Sequence, residues 1–296
     1  MKRKQKKEIL KIYNEYLKGS TQKQLNKKYK TDTYYHFKKY NLKCRTTGES
    51  VQKFRHLQGG RLKLNYLFNS IKNETEAYII GLFLSDGCVT KGIIQFKFNK
   101  KDIELLNIIR NYICKDLKLY KDKNSLILKI CSKKCVENLK KLNIPIKEKT
   151  KCQINIPKMN DNLLRHFIRG YFDGDGTVFL CNKNNKNKST VLKSNICSPT
   201  NGILLKIQNI LFNYKIESIL NCEIRIGKEL KIPGGTCIAK QNMYRLYIRK
   251  KSELFKFYNF LYLDSKIYLT RKFNIFNNNK QCFVYKYKYA NTEVTV

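Results

Sequence analysis

Two stretches decide how this chain is read: Ile79-Ile80-Gly81-Leu82-Phe83-Leu84-Ser85-Asp86-Gly87 and Ile168-Arg169-Gly170-Tyr171-Phe172-Asp173-Gly174-Asp175-Gly176. Each ends a helical pattern, Thr75 to Ser85 in one case and Asn162 to Gly174 in the other. Each runs into β-prone residues, Cys88-Val89-Thr90 and Thr177-Val178-Phe179. Small residues stand at i and i+4 in both, Gly81 with Ser85 and Gly170 with Gly174, so each helix carries a flat stripe on which another helix can pack closely. Pairing the stripes brings Asp86 and Asp175 together at helix C-termini, where the dipole is already negative. Two carboxylates there repel, and one takes up a proton unless a cation is bound. The fitting cation is Mg²⁺, or another divalent ion such as Mn²⁺. One Asp-Gly alone reads as a helix stop; two matched ones read as a site.

Outward from these helices, the chain repeats itself with a spacing of about 90 residues, enough for one mixed α/β unit. After the first, Gly92 to Asn99 alternates Ile94, Phe96 and Phe98 against Gln95, Lys97 and Asn99, the pattern of a half-buried strand. Asp102 to Tyr112 is helical, Ser125 to Cys131 a strand and Lys134 to Leu142 helical. After the second come a strand at Thr190 to Cys197, a helix at Gly202 to Phe212, a strand at Tyr244 to Ile248 and a helix at Ser252 to Leu263. Residues 182 to 188 and 274 to 280 are Asn/Lys-rich and read as loops; the tail after Phe283 alternates and reads as an edge strand or as disorder.

The two quoted stretches resemble the signature helices of LAGLIDADG homing endonucleases. The second, ending FDGDG, is the closer match; the first departs at Leu84, where the family often has an acid that is not the essential one. The resemblance covers roughly residues 73 to 282. It implies an α+β fold of two pseudo-symmetric αββαββα repeats in one chain, residues 69–160 and 161–296, and a monomer serving a whole asymmetric DNA site. It also implies hydrolysis of phosphodiester bonds in double-stranded DNA, with Asp86 and Asp175 as metal ligands. In the family a basic residue sits near the end of each repeat. The candidates are Lys147, Lys149 and Lys151 in the first and Lys266 and Lys272 in the second, with Lys149 and Lys272 favoured. Such a lysine holds the attacking water or offsets developing charge. Outward strand positions would read bases in the major groove: Gln95, Lys97, Asn99 and Lys129 in one half, and Lys193, Asn195, Arg245, Tyr247 and Arg249 in the other.

Composition agrees with a polyanion partner. The 296 residues carry 61 Lys plus Arg against 22 Asp plus Glu, a formal charge of +39. An AT-rich genome supplies lysines but does not explain the scarcity of acids. Residues 1 to 68 read as three helices, Lys7 to Leu17, Gln22 to Tyr29 and Thr33 to Tyr40, followed by a basic linker containing Gly59-Gly60-Arg61. That order fits a small all-α helix-turn-helix DNA reader, with Lys38 and Lys39 on its last helix. The eleven cysteines are scattered without CxxC spacing, and no apolar stretch follows Met1-Lys2-Arg3-Lys4. They read as reduced and mostly buried, in an intracellular protein. His36, His56 and His166 stand isolated. Two other functions share this pattern: a non-cutting DNA-binding regulator, and a maturase acting on host intron RNA. An intein is disfavoured, because the chain begins at Met1 and ends Thr295-Val296 without a His-Asn terminus. A free-standing or intron-encoded nuclease of a mobile element is the reading that remains.

Overall fold

The computed structural model describes residues 5–46, 49, 67–148, 152, 154–182 and 190–280. The chain divides into two compact units, residues 1–62 and 63–296. The expected linker glycines, residues 183–188 of the expected 182–188 loop, the tail after Phe283, and Lys149 and Lys151 lie outside the described residues; Asn182 ends a strand. Leu67 and Phe68, expected at the end of the linker, are buried, and the Leu67 carbonyl accepts from Asn138 Nδ2 at 2.9 Å. They therefore pack as part of the larger unit.

The small unit holds α1 (Lys6–Leu17), α2 (Gln22–Tyr29) and α3 (Thr33–Lys39). Thr21 and Gln24 form a capping box that starts α2, Lys30 ends it in the left-handed conformation, and Asp32 caps α3. Ile9, Ile12, Tyr16, Leu25 and Phe37 make a core of its own. Arg45 closes it by stacking 3.9 Å from the Tyr16 ring centre.

The larger unit is a repeated αββαββα pattern. The first copy is α4 (Glu74–Asp86), β1 (Gly87–Thr90), β2 (Ile93–Asn99), α5 (Ile103–Cys114), β3 (Leu119–Asp122), β4 (Ser125–Ile130) and α6 (Lys133–Lys141). The second is α7 (Asp161–Asp175), β5 (Gly176–Asn182), β6 (Thr190–Ser198), α8 (Asn201–Asn213), β7 (Ile219–Ile224), β10 (Met243–Ile248) and α9 (Lys251–Tyr262). A hairpin, β8 (Glu229–Ile232) with β9 (Gly235–Ile238), is inserted before β10, and α10 (Thr270–Asn278) follows α9. Each copy forms an antiparallel four-stranded sheet, ordered β1-β2-β4-β3 and β5-β6-β10-β7.

Alternation sets the two faces of each sheet. Ile94, Phe96, Leu128 and Ile130 are buried beneath the helices, with Phe96 edge-on to Phe83 of α4. Ala77 to Leu84 of α4 are all buried, because that helix is covered by α7 on one side and by its own sheet on another. The expected loop at 274–280 is largely helix instead. Phe276 is fully buried against Phe172, Tyr258 and Tyr262, and this packing overrides the weak helix propensity of the asparagines. The cysteines also depart from expectation: of the ten described, only Cys135 is buried, and Cys88, Cys131, Cys222 and Cys237 are exposed. No described helix is long and apolar enough to cross a membrane.

Candidate active site

The site is built by the approach of α4 to α7. A Cβ on Gly81 would overlap the Phe167 carbonyl and lie 2.9 Å from the Tyr171 nitrogen. A Cβ on Gly170 would meet the Tyr78 carbonyl and lie 2.9 Å from the Leu82 nitrogen. The contact is thus reciprocal, with each glycine admitting the backbone of the other helix. Farther along, a Cβ on Gly174 would collide with the Ser85 side chain and sit 3.1 Å from Asp86 Oδ2. The Asp86 carboxylate therefore lies over the residue preceding Asp175. Both helices end there, and both sheets begin there, at Gly87 and Gly176.

The two aspartates stand in different surroundings. Asp86 is exposed and Asp175 half-buried. The Tyr171 hydroxyl is hydrogen-bonded to Asp175 and Ser198, and burial together with the Asp175 charge raises its pKa, so it keeps its proton. The corresponding residue of the first copy is Leu82, which has no hydroxyl to offer. The Cys197 thiol donates to the Asp175 carbonyl at 3.1 Å.

Lys272 lies beneath the end of α7 and is buried, not turned to solvent as expected of a residue reaching for water or phosphate. Its ammonium donates to the carbonyls of Phe172 (2.8 Å), Asp173 (2.7 Å), Gly174 (3.2 Å) and Gly176. Three of these carbonyls belong to the last turn of α7, where a helix leaves its carbonyls short of donors, and the fourth is that of the C-cap Gly176, so Lys272 caps the turn that carries Asp175. Burial lowers its pKa to about 8, against the upward pull of Asp173, Asp86 and Asp175. Asp173 is also buried and accepts from Tyr78 (2.7 Å), Tyr262 (3.0 Å) and the Leu269 nitrogen (2.7 Å). Burial raises its pKa, with Lys272 opposing. An acid on the buried face of a helix, here among Ile168, Tyr171 and Phe172, needs donors around it. That requirement is the one sequence signal pointing to this cluster.

A second buried group holds the other end of the helix pair. Arg169 donates to the Ile267 and Leu261 carbonyls at 2.8 Å each and to Glu74 at 2.6 Å. The Lys266 backbone nitrogen also meets Glu74, at 2.8 Å. Glu74 opens α4 and Asp86 closes it, about 18 Å apart at 1.5 Å per residue. Lys266 is thus anchored at the end away from the acids. Lys147 is exposed.

His166 is not isolated, since its Nδ1 lies 3.6 Å from Glu74. Burial, with Arg169 and Arg165 adding to it and Glu74 opposing, lowers its pKa to about 4. The unfolded chain takes up this proton near 6.5 and the folded chain does not. Stability is therefore fully present above pH 6.5 and is lost as the pH falls toward 4. Urea unfolding of wild type and His166→Gln across this range tests it: the stability of wild type relative to the variant should fall toward pH 5, and parallel curves would refute it.

The remaining expected residues fall on the solvent faces of the sheets with differing exposure. Lys97 and Asn99 are exposed, Gln95 and Lys129 half-exposed. Lys97 pairs with Asp122 at 2.7 Å, Lys129 stacks over Tyr120, and Asn99 caps the turn that follows it. In the second sheet Lys193 is exposed and Arg245 and Tyr247 half-exposed, and Arg249 is exposed one residue past the end of β10. Arg249 stacks on Tyr247, whose hydroxyl meets Glu223. Asn195 departs from expectation. It has outward parity but is buried, lying in register between Thr177 and Tyr247. Lys38 and Lys39 are exposed on α3, next to Tyr34 and Tyr35.

No family model matches the sequence, and none of the curated proteins matches it. Among solved structures, the chain is similar to the LAGLIDADG homing endonuclease I-GzeII in complex with its DNA target, at 12% identity and TM-score 0.48, over 72% of this chain and 90% of that one. It is similar to the LAGLIDADG meganuclease I-AabMI bound to uncleaved DNA, at 15% identity and TM-score 0.45, over 71% and 90%. It is also similar to I-DmoI in complex with DNA and Ca, at 14% identity and TM-score 0.41, over 68% and 92%. At these identities the likeness is one of fold.

Proposed function

We propose that this chain is a site-specific endonuclease that hydrolyses phosphodiester bonds of double-stranded DNA with a divalent cation. The observation that carries the reading is the placement of the Asp86 carboxylate over Gly174, beside Asp175, at paired helix ends from which both sheets depart. Two carboxylates at dipole-negative ends fit a hard cation and little else. Among the described residues no group of three or more His, Cys, Asp or Glu assembles to hold a metal. A cation there would complete its shell with water and phosphate oxygen, as Mg²⁺ prefers. When bound, such a cation supplies Lewis-acid polarisation of the phosphate and lowers the pKa of a coordinated water.

The chain's own residues do the rest. Asp86 and Asp175 hold the cation, and Tyr171 and the Lys272 cap fix the turn that aims Asp175. The solvent faces of the two sheets, carrying Gln95, Lys97 and Lys129, and Lys193, Arg245 and Arg249, seat the duplex on either side. Single-chain cutting of one asymmetric site follows from having both halves in one unit. Sedimentation of the active complex should give one chain per duplex, and two chains would contradict this.

In the same reading, α2, the Lys30-Thr31-Asp32 turn and α3 form a helix-turn-helix that presents Lys38 and Lys39 to DNA. It contributes affinity and site length, with no part in the chemistry. Removing residues 1–62 should weaken duplex binding at least about tenfold and reduce the log–log salt slope by about 2, at roughly 0.9 per phosphate contact, while cation-dependent cutting persists. Unchanged affinity and slope in a salt titration would remove this role.

A further inference from the structure

In the first repeat, β3 and β4 are joined by two residues, Lys123 and Asn124. The corresponding strands of the second, β7 and β10, are separated by residues 225–242, which form the β8–β9 ribbon. The ribbon is a built element. Gly227 donates to the Ala239 carbonyl (2.8 Å), Ala239 to the Lys228 carbonyl (2.9 Å), and the Ile226 nitrogen to Asn242 Oδ1 (2.8 Å). Gly234 and Gly235 supply the positive φ of its tip.

From Arg225 to Ile238 every residue except Leu230 is exposed, including Ile226 (65%) and Ile238 (67%). A two-stranded ribbon with no core of its own is marginal in water, so a partner surface would stabilise it. Its charge says which partner. Arg225, Lys228, Lys231 and Lys240 face a single acid, Glu229, which suits a polyanion better than an apolar protein face. The strand register says where. Gly176, next to Asp175, is level with Ile196, Leu246 and Leu220, and the root of the ribbon at Met243 and Ile224 lies further along toward the acid end. The ribbon therefore leaves the sheet at the end where Asp175 is delivered, about 10 Å past the level of Gly176 along the strand direction.

We propose that the Arg225–Lys240 ribbon is a further DNA-contacting element, engaging the target duplex close to the scissile phosphates from the second repeat only. A two-stranded ribbon fits the major groove, and its lysines reach the flanking phosphates. Contact is then one-sided, giving the chain an orientation on its site that the repeated sheets alone do not impose. The proposal rests on the duplex-cutting reading above.

The test uses the full chain and its Lys228→Gln/Lys231→Gln/Lys240→Gln variant, on duplexes selected from a randomised library for binding to wild type in Ca²⁺. Because the variant removes three phosphate-neutralising charges, its log–log salt slope should fall by about 2 to 3. Hydroxyl-radical protection next to the centre should be lost on one side, while the protection given by the sheets and the cut position stay the same. An unchanged slope and footprint, with wild type binding normally, would overturn this proposal alone. Failure of wild type to select any duplex would overturn it together with the endonuclease reading.

Discussion

Asp86→Asn and Asp175→Asn should each reduce DNA cleavage by at least about a thousandfold, because each removes a charged ligand from a shared cation site. Duplex binding should survive in both variants. Asparagine is nearly isosteric and tolerated at a helix end. Loss of a negative charge facing the phosphate backbone should leave binding equal or tighter. Binding measured in Ca²⁺ and cutting measured in Mg²⁺ on one target separate the two effects. Should either variant cut like wild type, the aspartates are helix stops. Should both lose binding as well, their role is structural.

Gly170→Val should destabilise the larger unit by about 3 kcal/mol or more, since the added carbons meet the Tyr78 carbonyl and the Leu82 nitrogen, neither of which can turn aside. That corresponds to a fall in Tm of roughly 6 to 12 °C for a unit of this size. Cleavage should be lost even below the melting temperature, because helices held apart also hold Asp86 away from Asp175. Gly227→Ala is the contrast. Its site is open and its φ is +83°, so it suffers only backbone strain, about 1 kcal/mol. Thermal unfolding that fails to distinguish the two would show that the close helix contact is not what holds the unit together.

The sequence showed the features that depend on local pattern. The alternation of Ile94, Phe96 and Phe98 placed β2, and the small residues at i and i+4 marked the faces on which α4 and α7 meet. What it did not show depends on distant partners. β3 is short and β7 has little buried surface, so neither carries a clean alternation; each is held by pairing with a neighbouring strand. The helix at Thr270–Asn278 exists because Phe276 finds an aromatic pocket built from α7 and α9. Among so many lysines nothing local distinguishes Lys272; four carbonyls and Asp173 do, and they come together only when the chain has folded. Asn195 has the right parity, but parity does not report that its strand neighbours cover it.

As proposed, the paired helix ends form one cation-dependent centre for cutting duplex DNA. The most direct measurement is incubation of the purified full chain with a randomised duplex library, with Mg²⁺ and with EDTA, followed by sequencing of the cut ends. The ends should converge on a single asymmetric sequence in Mg²⁺, with none in EDTA. Ends that show no common sequence in Mg²⁺, or cutting that persists in EDTA, would contradict it.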